Sequence, residues 1–74
     1  MVVGTACFAR WSVDNVWYNA VVERLLSDSV LVTFSDYGNS DEVATTNVLT
    51  ELSSLPIGAL IDENIKTKIV EKTV

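Results

Sequence analysis

Histidine is absent from this 74-residue chain, cysteine and proline occur once each, and there are three glycines. Each scarcity removes a class of chemistry or construction. Without histidine, the usual metal sites and acid–base pairs lack their commonest member. A single cysteine, Cys7, forms no internal disulfide, so the fold must rest on its own core and the setting reads as reducing and intracellular. Cys7 also has no basic neighbour to lower its pKa and reads as an inert buried thiol. The apolar residues come in short runs, none near the roughly 18 that suggest a membrane-spanning helix. The N-terminal MVVGTACFARW has no basic stretch followed by an apolar one, so it does not read as a signal peptide. Basic residues are scarce too, five against ten acids for a net charge of -5. That balance works against a binder of phosphate backbones and favours a basic partner. A chain this short buries only about 60% of the surface its unfolded form exposes, which leaves room for one domain and little for a second core.

What is present is strand-forming. Thr5 to Trp11, Val16 to Leu25, Ser29 to Ser35 and the shorter Asp41 to Ala44 are rich in Val, Phe, Tyr, Trp and Thr, and polar turns at SVDN and LSDS break them. No helix is long enough for a parallel crossover, so an antiparallel meander is expected. Alternation puts Cys7, Ala9 and Trp11 on one face of the first strand and Phe8 and Arg10 on the other. In the second strand Tyr18, Ala20 and Val22 oppose Trp17, Asn19, Val21 and Glu23. In the third, Val30, Val32 and Phe34 oppose Leu31, Thr33 and Ser35. Apolar groups on both faces predict a sheet that curls on itself into a small barrel. Beyond it, TTNVLTELSSLP fits either a helical turn or a 3₁₀ turn leading to a brief fifth strand. In the tail, Ile61, Ile65 and Ile69 have helical spacing, while Ile65, Thr67 and Ile69 alternate as in a strand.

The loop SDYGNSDEV sets an aromatic ring where a short turn would need none. Trp11 ends the first strand, Tyr18 opens the second, Phe34 ends the third, and Tyr37 follows in this loop, so a meander brings all four rings to one rim. Converging ring faces attract a weakly hydrated cation, such as a methylated ammonium or guanidinium, at roughly 0.5 to 2 kcal/mol per contact. Asn39 adds a carbonyl that accepts a guanidinium N–H, and Gly38 frees the backbone between them. The competing reading makes Trp11, Tyr18 and Phe34 ordinary barrel packing and Tyr37-Gly38-Asn39 an irregular turn. Trp17, on the opposite face, reads as packing. Asp36, Asp41 and Glu42 read as a solvated acidic rim rather than a metal site.

GTACFARWSVDNVWYNAVV followed by VLVTFSDYGNSDEV resembles a Tudor domain, most closely the arginine-reading branch typified by the survival motor neuron protein. The resemblance runs from Gly4 to about Leu55. It implies an all-β fold, a small strongly bent antiparallel barrel of four to five strands of SH3-like type. On this reading residues 4–55 are the domain and 56–74 a C-terminal linker or extension. The branch's cage of a Trp, three Tyr-like rings and an Asn falls on Trp11, Tyr18, Phe34, Tyr37 and Asn39, with Phe34 standing where a tyrosine is expected. The extended modules of germline proteins share this core, but the nuclease-like half that wraps them finds no room before Gly4.

The implied function is non-enzymatic: a reader of methylated arginine, symmetric dimethylarginine in Arg-Gly-rich segments, that links its parent protein to RNA-processing or germline ribonucleoprotein partners. The alternatives are a methyllysine reader and a small barrel that binds proline-rich peptides. The reading implies no catalytic residue, cofactor or metal, no direct contact with nucleic acid or membrane, and a monomeric module of a larger protein. It places the module in the nucleus or in cytoplasmic ribonucleoprotein granules. The tail from about Ile57 is expected to contribute little to the pocket.

Overall fold

A computed structural model describes residues 2–67. Six strands follow one another: β1 (Ala6–Trp11), β2 (Val16–Leu25), β3 (Ser29–Phe34), β4 (Ser40–Ala44), β5 (Val48–Leu49) and β6 (Leu60–Ile61). The first four are the segments that β-branched and aromatic composition marks. Strand order is β4-β3-β2-β1-β5, antiparallel throughout, and β6 pairs parallel with the start of β2. The fold is an all-β, curled, antiparallel half-barrel.

Curling depends on β2. Its first half pairs with β1, from Ala6↔Val21 to Trp11↔Val16, and its second half with β3, from Ala20↔Phe34 to Leu25↔Val30. The register shifts between Val22 and Arg24, and such a bulge bends the strand and increases its twist. The β1–β2 turn uses side chains suited to it. Asn15 adopts a left-handed φ of 58°, which Asn tolerates better than most residues, and Asp14 accepts the Val16 backbone N–H at 3.0 Å.

The inner face buries Cys7, Ala9, Ala20, Val22, Val30, Val32, Phe34, Val43 and Val48 as one core. Curling, however, is not what covers the other face. There Phe8, Trp17 and Ile65 form a second buried cluster, with Leu49, Leu52, Leu55, Ala59 and Ile61 packed against it. The expectation of little room for a second core is therefore corrected. The chain after β4 turns back under the sheet and supplies the missing cover, so one sheet serves two apolar layers.

The ambiguous segments resolve piece by piece. Thr45–Asn47 is a 3₁₀ turn leading into β5, and Leu52–Ser54 is another. In the tail, Ile61 lies in a strand and Ile65 in a helical stretch over residues 63–67. The strand reading of Ile65 and Thr67 is corrected, since both lie in that helical stretch, and the helical spacing does not extend back to Ile61. Ile69 lies outside the described residues.

Candidate functional site

The register of the strands accounts for the convergence of rings. Ala9 pairs with Tyr18 and Trp11 with Val16, so Trp11 and Tyr18 are diagonal neighbours on the inner face, within reach for aromatic side chains. Ala20 pairs with Phe34, which makes Tyr18, two residues earlier on the same face, diagonal to Phe34. Ring centroids accordingly stand 6.2 Å apart for Trp11 and Tyr18, 6.2 Å for Trp11 and Phe34, and 5.7 Å for Tyr18 and Phe34. Tyr37 closes the set from the β3–β4 loop, 5.5 Å from Tyr18 and nearly perpendicular to it at 88°. These tilted and edge-on arrangements are the ones aromatic quadrupoles prefer.

The loop is built to hold that fourth ring. Phe34 donates its N–H to the Asn39 carbonyl at 2.8 Å, while its own carbonyl accepts Tyr37 N–H at 3.1 Å and Gly38 N–H at 2.7 Å. Gly38 has φ of 80°, a conformation that glycine adopts without the Cβ penalty of other residues. The turn thus folds back on Phe34 and carries Tyr37 and Asn39 to the same side.

Trp11, Tyr18, Phe34, Tyr37 and Asn39 together line one cavity of about 270 Å³. All five residues singled out in the sequence meet there. Packing and lining are not exclusive roles. Phe34, 2% exposed, belongs to the inner core and forms the floor, and Trp11 and Tyr18 pack partly against that core. Trp17 is buried in the outer cluster, away from the cavity. A larger cavity, about 500 Å³, lies over the outer side of β1 and β2, lined by Asn19, Asp36, Thr50, Asn64 and Thr67 among others, with Phe8 as its one ring among the described residues. It has no aromatic enclosure for a cation.

Both tyrosines of the smaller cavity spend their hydroxyls on carboxylates outside it. Tyr18 donates to Asp14 Oδ2 at 2.5 Å, and this bond, aided by partial burial, pushes its pKa up to about 12. Tyr37 donates to Asp62 Oδ1 at 3.0 Å, which raises its pKa as well. Both phenols therefore stay neutral at physiological pH, and two carboxylates stand at the rim. Such a site can bind a cation through ring faces, with Asn39 available to a hydrogen-bond donor. In the inner core, burial pushes the Cys7 thiol up to about 11, which suits packing rather than reactivity.

Four residues matter here that their sequence positions did not reveal. Asn19, buried in β2, donates to Asp36 Oδ2 at 3.1 Å, and its backbone carbonyl accepts Ser35 N–H at 3.0 Å. It anchors the start of the loop. Asp36, read as a solvated acid, is exposed and through this bond also anchors the loop. Asp14 holds Tyr18, and only its place in a tight turn four residues before that ring hinted at this. Asp62 belongs to the tail, which among the described residues lines no part of the cavity but reaches the rim, where Asp62 bonds Tyr37.

The family model described as Tudor domain matches residues 1–57. The chain is 40% identical over 58 residues to Tudor domain-containing protein 1 of Oryzias latipes, an alignment covering 74% of this chain and 5% of that protein. It is 33% identical over 66 residues to Survival motor neuron protein 1 of Danio rerio, covering 86% of this chain and 24% of that protein. Against Survival of motor neuron-related-splicing factor 30 of Xenopus tropicalis it is 35% identical over 48 residues, 62% of this chain and 20% of that protein. The chain spans a quarter or less of the length of each of these relatives.

Proposed function

Because the chain belongs to the Tudor domain family, a family of non-enzymatic interaction modules, we propose that its aromatic cavity receives a methylated arginine side chain. The observation that carries this reading is the composition of the cavity wall: four rings and one amide, with nothing else lining it among the described residues. The rings suit a flat, weakly hydrated cation, since methylation removes water-binding N–H groups while leaving the charge. The amide of Asn39 suits a guanidinium that still carries an N–H. A volume of about 270 Å³ is below the usual range for small-molecule pockets, about 300–1,000 Å³, and fits the end of one side chain.

The natural ligand on this reading is symmetric dimethylarginine in an Arg-Gly-rich segment. The net charge of -5 favours such a basic partner. One relative carries a splicing factor's name, which supports a role in joining the parent protein to RNA-processing or germline ribonucleoprotein partners, in the nucleus or in cytoplasmic granules. Methyllysine is the second reading, favoured by the carboxylates of Asp14 and Asp62 near the rim. Calorimetric titration with Arg-Gly peptides, unmodified, asymmetrically and symmetrically dimethylated, alongside trimethyllysine and proline-rich peptides, tests the proposal. It expects the symmetric dimethylarginine peptide to bind tightest. Preference for trimethyllysine would replace it with the second reading.

A further inference from the structure

Tyr37 is the cavity wall with the least support of its own. It is 60% exposed, whereas Phe34 is buried, and it sits in a loop rather than in a strand. Tyr18 is its one ring contact among the described residues. A side chain so exposed keeps most of its rotamer freedom unless something holds it, and ordering it on ligand binding costs entropy. The group that holds it comes from 25 residues further along the chain: Asp62 Oδ1 accepts the Tyr37 hydroxyl at 3.0 Å.

Asp62 is itself fixed from several directions. Leu60 and Ile61 pair with Val16 and Trp17, and Asp62 N–H donates to the Trp17 carbonyl at 2.9 Å. The next residue of β2 is Tyr18, so the strap of chain that ends in Asp62 is seated beside the cavity. Three residues beyond Asp62, Ile65 is 0% exposed in the cluster with Phe8 and Trp17. The carboxylate's other oxygen, Oδ2, accepts the Asn64 side-chain N–H at 2.8 Å and lies 3.4 Å from the Asn64 backbone N–H. The Asp62 backbone carbonyl accepts Ile65 N–H at 3.0 Å and Lys66 N–H at 3.1 Å. The position of Oδ1 is therefore set by main-chain pairing and buried packing, not by a free side chain.

We propose that Asp62 is a positioning residue of the cavity: carried on the docked C-terminal strap, its carboxylate holds the Tyr37 ring against Tyr18 and so preorganises the ligand's fourth wall. The inference rests on the reading of the cavity as a methylarginine site. It adds that affinity depends on a segment lining no part of the cavity. Preorganisation of this kind strengthens binding by removing an ordering cost rather than by adding a ligand contact. It differs from simple attraction between the Asp62 charge and a cationic ligand, and the two predict different mutant patterns.

Asp62→Asn keeps an oxygen at the same reach and loses the charge. Asp62→Ser keeps a group able to start the helical stretch but is too short to reach Tyr37. Tyr37→Phe removes the same bond from the other side and leaves the strap untouched. With a symmetric dimethylarginine peptide, Asp62→Ser and Tyr37→Phe should each bind about threefold to tenfold more weakly, the effect of a lost hydrogen bond. Asp62→Asn should retain most of the affinity, and the double variant Tyr37→Phe/Asp62→Ser should be no weaker than Tyr37→Phe alone. Equal losses for Asn and Ser, or a double variant whose loss is the product of the single ones, would overturn the proposal in favour of charge attraction. A ligand-free readout separates this from the functional reading: the NMR cross-relaxation between the Tyr18 and Tyr37 rings should fall in Asp62→Ser and Tyr37→Phe and persist in Asp62→Asn. If no methylarginine peptide binds the unaltered protein, the functional reading fails while this ring measurement still decides the role of Asp62. Unchanged ring contact in Asp62→Ser and Tyr37→Phe would contradict it.

Discussion

Asn19 Nδ2 donates to the Asp36 carboxylate at 3.1 Å, tying the middle of β2 to the loop that carries Tyr37 and Asn39. Asn19 faces away from the cavity, one residue after Tyr18, yet it sets where the loop begins. Its backbone carbonyl, bonded to Ser35 N–H, strengthens the same tie. A buried amide in such a place does the work of a short crosslink between strand and loop.

Removing it should loosen the loop and the fold together. Asn19→Ala is expected to lower stability by about 0.5–1.5 kcal/mol, the net worth of a hydrogen bond whose exposed partner returns to water, as read from urea denaturation. Weaker peptide binding should accompany it even at temperatures where the variant remains folded. A variant as stable as the unaltered protein would show that the Asn19–Asp36 bond is dispensable.

Ile65 tests whether the strap belongs to the folded unit. It is fully buried beside Phe8 and Trp17, and truncating such a side chain leaves a cavity that the sheet cannot fill. Ile65→Ala should cost about 2–5 kcal/mol, visible as a lower denaturation midpoint with an unchanged slope. A negligible loss would mean that the strap adds little to the stability of the sheet.

Stability should also fall in alkali, through groups whose protonated forms the fold favours. Burial raises the Cys7 pKa from 9.0 to about 11, and the bond to Asp14 raises that of Tyr18 from 10.0 to about 12. A folded-state pKa above the unfolded value means that the folded protein binds more protons in that window. The contribution of Cys7 is thus complete below pH 9 and lost as pH rises to about 11, and that of Tyr18 is complete below pH 10 and lost by about 12. Denaturation across this range should show a steady decline that Tyr18→Phe flattens at its upper end and Cys7→Ala at its lower end. A pH-independent midpoint would contradict both assignments.

The parts of this structure that were legible in the sequence are those governed by local pattern. Alternation in β1, β2 and β3 placed Trp11, Tyr18 and Phe34 on one face, and the glycine after Tyr37 marked a loop that turns back. The outer cluster was less legible because Phe8 and Trp17 show only that their face is apolar, not what covers it. The tail was undecided for a physical reason: Ile61 lies in a strand and Ile65 in a helical stretch, so no single period describes both. Local pattern assigned no role to Asp14 or Asp62. Their roles follow from the path of the backbone, which for Asp62 brings together residues 25 apart.

The central claim is that the cavity reads a methylated guanidinium, and Asn39 offers its most direct test. An amide oxygen beside four rings gives a bond to dimethylarginine that trimethyllysine cannot make, since a quaternary ammonium has no N–H. Calorimetric titration of Asn39→Ala with both peptides, with circular dichroism confirming the fold, should show dimethylarginine binding weakened by about 1.5–3 kcal/mol and trimethyllysine binding nearly unchanged. Equal losses for the two peptides, or no loss for dimethylarginine, would contradict the assignment to arginine and leave Asn39 a residue of the turn alone.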